Sequence, residues 1–385
     1  MGEYEHREVL FVTGTRADFG KLRDVMLAVQ RSEELSARIV VTGMHLLRRY
    51  GYTVREVERA GLRRLHLIPN QIEGEPMALV LANTIQALTR LVHEDRPDAI
   101  VVHGDRVEAL AGALVGALTN VRVVHIEGGE VSGTIDDTLR HSISKQAHVH
   151  FVANENARNR LLQLGEDADR IFVVGSPEID ILTSPDLPTI EQVRERYGIP
   201  FHEYGVLIMH PVTTELDTIS EQAAAVVDAV LDGARNWVVI DPNNDEGCAA
   251  VRYELDRLTG PRFVRIPSMR FEYFVSVMRH AEVLLGNSSA GVREAPVLNT
   301  PTVDVGTRQA SRSDAAGVQH VPADRAAVAT ALARASATRS QSGFREFGEP
   351  GASDRIVALL KGKDVWQPPL YKRFVDRWAG EPNVH

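Results

Sequence analysis

Short apolar runs rich in β-branched residues alternate with longer amphipathic stretches through the first half of the chain. Six runs predict strands: VLFV (9–12), ARIVVTG (37–43), AIVVHGD (99–105), VRVVHIEGG (121–129), VHFVA (149–153) and RIFVVGS (170–176). Between them, stretches such as EPMALVLANTIQALTRLVHE repeat apolar residues at helical spacing. Strands that are apolar throughout and separated by helices indicate a parallel sheet covered on both faces.

A second series of the same kind follows residues 177–200, a stretch with four prolines that we interpret as a linker. Its predicted strands lie in YGVLIMHP, NWVVIDPN, RFVRIP, EVLLGNS and TVDVG. We therefore predict an α/β protein of two doubly wound, Rossmann-type domains, 1–180 and 181–359, that face each other across a cleft. The tail, about 360–385, is expected to pack back on the first domain.

The composition narrows the class of protein. A chain of 385 residues is long enough for two domains, each with its own core. The net charge of -9 argues against nucleic-acid binding, which usually leaves a basic footprint. Cys248 is the single cysteine, so no internal disulfide forms, and a cytoplasmic location fits best. The charged N-terminus does not resemble a signal peptide, and no apolar run is long enough to span a membrane.

Polar clusters follow the predicted strands at the point where each strand ends. They are TGTRADFGK (13–21), HGDR (103–106), HIEGGEVSGTIDD (125–137), HPVTT (210–214), DPNND (241–245) and GNSSAGVRE (286–294). In open parallel sheets, ligands bind beyond the carboxyl ends of the strands. Because nearly all the polar clusters coincide with that edge, we predict one active site between the domains.

Several of these clusters indicate an anion site. Ser288 and Ser289 precede a predicted helix, whose free N–H groups attract a phosphate, although an ordinary N-cap is an equal alternative. Arg308 ends the next strand, and together these residues favour a diphosphate. Glu294 is suited to hold the two hydroxyls of a ribose, or it is a solvated helix residue.

The other strand ends add cations and hydrogen-bonding groups. Arg16 and Lys21 are phosphate ligands if they face that anion site, and solvated cations otherwise. Asn243 is a strand-end hydrogen-bonding group, and His210 ends its strand towards the cleft. The histidines lack the spacing of a metal site, and neither a GxGxxG nor a P-loop sequence is present. We interpret His103 and His125 as core or sheet-edge residues.

Three carboxylates suggest acid–base chemistry. Asp105 and Glu127 end strands that one helical crossover joins, and Asp136 follows on the glycine-rich loop. Carboxylates that share a partly dry cleft push each other's pKa values apart, which supplies an acid and a base at neutral pH.

These segments, together with RFEYF (270–274) and DVGTRQ (304–309), resemble the hydrolysing UDP-N-acetylglucosamine 2-epimerases of bacterial sialic acid synthesis and the epimerase half of the animal bifunctional enzyme. The resemblance implies a GT-B arrangement and no metal or organic cofactor. It also implies conversion of UDP-N-acetylglucosamine and water to N-acetylmannosamine and UDP, by anti elimination to 2-acetamidoglucal and syn hydration. A homodimer or homotetramer is expected.

Carried over by motif, the resemblance makes Asp105, Glu127, Asp136 and His210 catalytic. It assigns the nucleotide and diphosphate contacts to Arg16, Lys21, Arg106, Asn243, Ser288, Ser289, Glu294 and Arg308, most of them in the second, UDP-binding domain or facing it. Which carboxylate is the base and which the acid stays open.

The sequence departs from the animal enzyme at two places. Gly20 replaces a serine that contacts UDP there, and the segment around 260–266 does not show the animal enzyme's feedback site for an activated sialic acid. Three alternatives stay open: the same reaction on UDP-N,N′-diacetylbacillosamine for legionaminic acid, a GT-B glycosyltransferase, and a nucleotide-sugar sensor without catalysis.

Overall fold

A computed structural model describes residues 6–132, 135–309, 312, 315–335 and 344–376. The strands in this part of the chain are β1 (Arg7–Thr13), β2 (Leu35–Val41), β3 (Leu65–Leu67), β4 (Ala99–His103), β5 (Arg122–Ile126), β6 (Val149–Val152), β7 (Ile171–Val173), β8 (Gly205–Ile208), β9 (Trp237–Ile240), β10 (Phe263–Ile266), β11 (Val283–Gly286), β12 (Thr302–Val305) and β13 (Val318–Val321).

The α-helices of the described residues are α1 (Arg16–Gln30), α2 (Val54–Arg59), α3 (Met77–Glu94), α4 (Val107–Leu118), α5 (Ile135–Gln146), α6 (Glu155–Gln163), α7 (Pro177–Leu182), α8 (Ile190–Tyr197), α9 (Ile219–Asp232), α10 (Cys248–Leu255), α11 (Phe271–His280), α12 (Glu294–Val297), α13 (Arg325–Ala335) and α14 (Ala352–Lys361). None of them is long and apolar enough to cross a membrane.

Two parallel sheets form the architecture. The first has the order β3-β2-β1-β4-β5-β6-β7 and the second the order β10-β9-β8-β11-β12-β13. Within each sheet the strand order reverses beside the first strand, at the β1–β4 and β8–β11 neighbours, as in doubly wound folds. The predicted α/β class with two Rossmann-type sheets is therefore confirmed.

Side chains alternate between the two faces of each central strand. On β1, Val9 and Phe11 pack with α1 and α14, whereas Leu10 and Val12 pack with helices α3 and α4 on the opposite face. All four side chains are buried. Such two-sided burial explains why these strands are continuous apolar runs in the sequence.

The structure has elements that the sequence analysis did not predict. The stretch 177–200, interpreted as a linker, contains α7 and α8, with residues 183–189 between them. Ser176 caps α7, and Pro177 occupies its first turn, where a missing N–H costs little. In addition, β3 and β13 were not predicted. Both are short edge strands whose side chains are only partly buried, so they lack the apolar signal of a central strand.

The chain returns to the first sheet after the second one is complete. Ile356 and Leu360 of α14, and Val365 after it, lie in the core beside β1. Arg122 at the start of β5 donates to the carbonyl oxygens of Trp366 and Pro368, at 2.9 and 2.8 Å. The described part of the tail thus covers the first sheet, while residues 377–385 lie outside the described residues. The domain boundaries remain a prediction.

Candidate active site

The carboxyl ends of both sheets open onto one cleft with a cavity of about 300 Å³. It brings together all twelve residues singled out in the sequence: Arg16, Lys21, Asp105, Arg106, Glu127, Asp136, His210, Asn243, Ser288, Ser289, Glu294 and Arg308. Among the described residues, no group of three or more His, Cys, Asp or Glu side chains is arranged to hold a metal ion. The predicted convergence of the strand-end clusters is therefore observed.

Local backbone geometry delivers two of the carboxylates. Gly104 has φ +72° and turns the chain sharply between β4 and Asp105. Glu127 directly follows β5 and has φ +63°, a left-handed conformation that is unfavourable for a residue with a side chain. Such strain persists only where surrounding structure imposes it, and it concentrates at functional sites.

Asp105 is held in its ionised form. Its carboxylate accepts a hydrogen bond from Arg140, which also donates to the carbonyl oxygen of Glu127 at 2.8 Å. Burial alone would raise the pKa of Asp105, but Arg140 and three further arginines, Arg312, Arg106 and Arg308, lower it to about 2.

The pKa of Asp136 is shifted in the opposite direction. It lies in the first turn of α5, where Arg308 from the second sheet contacts its Oδ2 at 3.2 Å. Burial and the neighbouring charge of Asp105 raise the pKa of Asp136, and together they outweigh that arginine. Asp105 and Asp136 therefore have pKa values pushed in opposite directions, as expected for carboxyl groups that share a cleft.

Glu127 is also stabilised in its ionised form. The Arg293 guanidinium lies 2.9 Å from its Oε1, and Nε2 of His103 lies 3.1 Å from its Oε2. Although burial opposes ionisation, these two partners hold the pKa of Glu127 well below its usual range. Ser176 completes the set by donating its hydroxyl proton to the carboxylate.

His210 is a neutral hydrogen-bonding group. Its Nδ1 accepts from the backbone N–H of Asn243 at 3.1 Å, so the ring proton resides on Nε2. Burial lowers the pKa of His210 to about 3. Asn287 fixes the backbone of His210 from both sides, with hydrogen bonds of 2.7 and 2.8 Å.

The predicted phosphate-binding turn differs from expectation in one respect. Ser288 does not cap a regular helix: it caps a 3₁₀ turn, Ser289–Gly291, and Glu294 begins the separate one-turn helix α12. Before this turn, Gly286 has φ +132° and packs so closely on Ile208 that a Cβ atom would lie 1.8 Å from its carbonyl oxygen. Only glycine fits there.

The remaining predicted contacts surround this turn. Arg308 donates to the carbonyl oxygen of Asn287 at 3.2 Å, which places its guanidinium beside Ser288. Lys21 is not a free cation, because it pairs with Glu178 and, at 3.3 Å, with Glu294. These carboxylates raise the pKa of Lys21 even though burial opposes them.

Arg16 and Arg106 connect the two sides of the cleft. Arg16 Nη1 donates to the hydroxyl of Ser268 at 2.9 Å, and its other nitrogen pairs with Glu56. Arg106 Nη2 lies 3.2 Å from Asp245, which also accepts from the side chain of Asn243.

Comparison with known proteins identifies the family. The profile of the family described as UDP-N-acetylglucosamine 2-epimerase matches residues 27–361. The chain is 42% identical over 373 residues to a UDP-N-acetylglucosamine 2-epimerase of Neisseria meningitidis serogroup B, which covers 96% of this chain and 99% of that protein. It is 35% identical over 360 residues to a hydrolysing UDP-N,N′-diacetylbacillosamine 2-epimerase of Legionella pneumophila, covering 92% and 96% of the two chains.

This chain belongs to the UDP-N-acetylglucosamine 2-epimerase family. Its fold matches a crystal structure of a Neisseria meningitidis UDP-GlcNAc 2-epimerase bound to UDP-GlcNAc, with a TM-score of 0.77 at 20% identity over 92% of this chain and 100% of that one. The resemblance to the epimerase family and the GT-B-like fold are thus confirmed. The roles of individual residues remain predictions.

Several charged residues of this epimerase site were not predicted. Arg140 and Arg293 neutralise the carboxylates, and His103, interpreted as a core or edge residue, contacts Glu127. A signal for Arg140 was present, since it follows Asp136 by four residues and therefore lies on the same helix face. Arg293 stands in the GNSSAGVRE motif, but only the folded structure shows that it reaches the first sheet.

Gly20 has a structural reason in this member of the family. A Cβ atom at position 20 would lie 2.5 Å from Cβ of Phe271, on the helix that approaches from the second sheet. The space that a serine side chain needs is therefore filled by Phe271.

Proposed function

We propose that this protein is a hydrolysing 2-epimerase that converts UDP-N-acetylglucosamine and water to N-acetylmannosamine and UDP. Elimination of UDP across C1–C2 gives 2-acetamidoglucal, and addition of water to that glycal leaves C2 inverted. The family membership and the 42% identity to a UDP-N-acetylglucosamine 2-epimerase support the substrate. The Legionella pneumophila relative, whose name describes it as hydrolysing, supports the use of water.

The proposed mechanism rests on the pKa values of Asp105 and Asp136, which are shifted in opposite directions. The C2 hydrogen is weakly acidic, so its removal needs a positioned base, and hydration needs a positioned acid to return a proton to C2. The pKa of Asp105 falls to about 2, whereas the pKa of Asp136 is raised. We assign a proton transfer at C2 to Asp136, whose raised pKa suits a group that changes protonation state near neutral pH. Because inversion removes a proton from one face of C2 and delivers a proton to the other, the transfer on the opposite face is assigned to Asp105 or Glu127.

The diphosphate is proposed to bind across the cleft. Arg16, Lys21 and Arg106 of the first domain face Ser288, Ser289 and Arg308 of the second, and Asn243 and Glu294 complete the nucleotide contacts. The Nε2–H group of neutral His210 can donate a hydrogen bond to a phosphate oxygen of the substrate or of the leaving UDP. Charge-assisted hydrogen bonds of this kind suit a leaving group that gains charge when the C1–O bond breaks.

One alternative substrate has specific support. The relative from Legionella pneumophila acts, by its name, on UDP-N,N′-diacetylbacillosamine, which differs from UDP-N-acetylglucosamine at C4 and C6. The carboxylates proposed here act at C1 and C2, so they would serve both sugars. The higher identity to the UDP-N-acetylglucosamine enzyme favours the first substrate.

The decisive experiment supplies the purified protein with each of the two UDP-sugars and identifies the products by NMR. We expect N-acetylmannosamine and UDP from UDP-N-acetylglucosamine, with no acceptor present. UDP release that requires an added acceptor would support a glycosyltransferase instead. If the protein converts UDP-N,N′-diacetylbacillosamine and not UDP-N-acetylglucosamine, the alternative substrate is the correct one.

A further inference from the structure

His125 is a fully buried titratable residue that joins two active-site elements. Its Nε2 lies 2.8 Å from the carbonyl oxygen of Gly104, and its Nδ1 lies 3.0 Å from the hydroxyl of Ser144 on α5. A carbonyl oxygen only accepts, so the proton is on Nε2, and Nδ1 accepts from Ser144. Burial lowers the pKa of His125 to about 3, so the ring stays neutral in this tautomer.

The same face of α5 carries a catalytic carboxyl group and its supports. Asp136, Arg140 and Ser144 follow one another at intervals of four residues, which places them in one row along the helix. Arg140 pairs with Asp105, while Ser144 reaches His125 one turn further along. The row therefore contacts the turn that carries Asp105 directly through Arg140, and indirectly through Ser144 and the His125 ring.

The backbone around His125 leaves room for these contacts. A Cβ atom at Gly128 would lie 2.8 Å from both His125 Nδ1 and Ser144 Oγ. Gly104, whose carbonyl oxygen accepts from His125, has φ +72° and directly precedes Asp105. A hydrogen bond at this carbonyl thus restrains the turn that aims the Asp105 carboxylate.

We propose that His125 and Ser144 act as positioning residues that fix α5 against the Gly104–Asp105 turn and thereby set the separation of the Asp105 and Asp136 carboxyl groups. Neither side chain lines the cavity. The proposal rests on the proposed function, because the epimerase reaction is its main readout. Coulomb repulsion between the two carboxylates varies inversely with their separation, and a misplacement of about 1 Å can cost about 10²-fold in rate.

The first test replaces the Ser144 hydroxyl. We expect Ser144→Ala to lower kcat about threefold to tenfold, the effect of one neutral hydrogen bond. KM and the Kd for UDP are expected to stay within about twofold. The matched control is Ser142→Ala on the same helix. The Ser142 hydroxyl donates to the carbonyl oxygen of Thr138 at 2.7 Å, a hydrogen bond within α5 that does not involve the Gly104–Asp105 turn. This control variant is expected to retain wild-type kcat.

The second test replaces the ring. His125→Phe is expected to lower kcat about 10²-fold. His148→Phe is its control, because His148 is also buried, accepts from the Val123 N–H at 3.0 Å and lies 2.8 Å from the carbonyl oxygen of Leu370. It precedes the amino end of β6, whereas the carboxylates follow the carboxyl ends of their strands. If phenylalanine at 125 prevents folding, the pair of serine variants decides the question.

The pH dependence of kcat separates positioning from general stability. A looser α5 moves Asp136 away from Asp105, so the pKa of Asp136 falls and its limb of the kcat profile shifts to lower pH in Ser144→Ala. A purely structural loss would reduce active enzyme without moving that limb. Wild-type kcat and an unmoved limb in Ser144→Ala would overturn the proposal. Failure of the proposed function looks different, because then the wild type itself releases no N-acetylmannosamine.

Discussion

Arg308 Nη2 lies 3.2 Å from Oδ2 of Asp136, so an ion pair joins a predicted phosphate ligand on the second sheet to a predicted catalytic carboxyl group on the first. A diphosphate bound at Ser288 and Ser289 would compete with Asp136 for the same guanidinium. Withdrawal of Arg308 leaves Asp136 more basic, because an opposite charge nearby favours the ionised form of a carboxyl group. Under the proposed mechanism, substrate binding would thereby raise the pKa of Asp136 further.

We expect Arg308→Ala and Ser289→Ala to weaken UDP binding. Hydrogen bonds to a charged phosphate contribute roughly 1.5–3 kcal/mol each, which corresponds to about a tenfold to hundredfold change in Kd. Isothermal titration with UDP measures the change. Arg325→Ala is the control, since Arg325 pairs with Asp232 on the exposed surface. UDP affinity within twofold of wild type in both variants would show that the diphosphate binds elsewhere.

Arg293→Met is expected to destabilise the fold as well as the site. Arg293 is 1% exposed and pairs with Glu127 at 2.9 Å, with Glu178 at 2.7 Å and with Glu130. Removing one partner from a buried ionic cluster leaves charges uncompensated, at a cost of about 3–5 kcal/mol. Urea unfolding measures the loss. The exposed Arg325→Met is expected to leave the midpoint unchanged, and equal midpoints for both variants would contradict this account of Arg293.

A site residue can be predicted from the sequence when its position follows from its own strand, and not when its position depends on contact between the two sheets. Asp105, Glu127 and His210 follow strands directly, so the rule for strand ends locates them without knowledge of packing. Arg293 is different, because its role depends on how closely the two sheets approach. Pairing across a cleft leaves no periodic signal in the chain.

Strand prediction shows the same division. The central strands were found because burial on both faces makes them continuous apolar runs. LHL at 65–67 and VQHV at 318–321 mix polar and apolar residues at the sheet edges, where only neighbouring strands specify them. Ser288 and Ser289 are predicted to cap a helix, whereas Ser288 caps a short 3₁₀ turn that follows the close Gly286–Ile208 contact.

The contact between Glu166 and Lys372 of the tail is expected to make a pH-dependent contribution to the stability of the fold. Glu166 is buried and accepts from Lys145 at 2.9 Å, Lys372 at 2.6 Å and His150 at 3.0 Å. Although burial opposes ionisation, these partners lower the pKa of Glu166 to about 2. A depressed carboxyl pKa stabilises the fold fully above the unfolded value, near 4.5, and the contribution is lost as the pH falls from there towards 2.

We therefore expect the unfolding free energy of the wild type to fall more steeply than that of Glu166→Gln between pH 5 and pH 3. This range is roughly the span over which a carboxyl group of the unfolded chain titrates. Lys372 does not titrate in this pH range, because burial lowers its pKa only to about 8. Urea midpoints across this range measure the difference. Glu155→Gln on the exposed face of α6 is the control, and parallel curves for wild type and Glu166→Gln would contradict the prediction.

Chelators are expected to leave the activity intact. The proposed chemistry uses carboxyl groups for proton transfer and arginine or lysine side chains for the diphosphate, so each charge that develops has a protein partner. Turnover is measured after dialysis against EDTA and again after addition of Mg²⁺, Mn²⁺ or Zn²⁺. Activity that disappears in EDTA and returns with a divalent ion would reject the metal-free mechanism.

Isotopes test the proposed route through the glycal. In heavy water, N-acetylmannosamine is expected to carry deuterium at C2, because the original hydrogen leaves with the base and solvent supplies its replacement. In oxygen-18 water the label is expected at C1 of the sugar and not in UDP, because elimination breaks the C1–O bond. Direct hydrolysis would instead release N-acetylglucosamine with its original C2 hydrogen.

The carboxylates are tested by their amides in the same assay. Asp105→Asn, Glu127→Gln and Asp136→Asn are each expected to lower turnover at least ~10²-fold, which is the lower end of what a positioned acid or base contributes and about the cost of misplacing the reacting groups by ~1 Å. Asp137→Asn is the control, because Asp137 lies beside Asp136 but accepts from the Ser132 N–H at 2.8 Å and pairs with His141. A variant that eliminates better than it hydrates would release 2-acetamidoglucal, visible by NMR. Product that retains its original C2 hydrogen would refute the roles given to all three carboxylates, since no proton would then have been exchanged at C2.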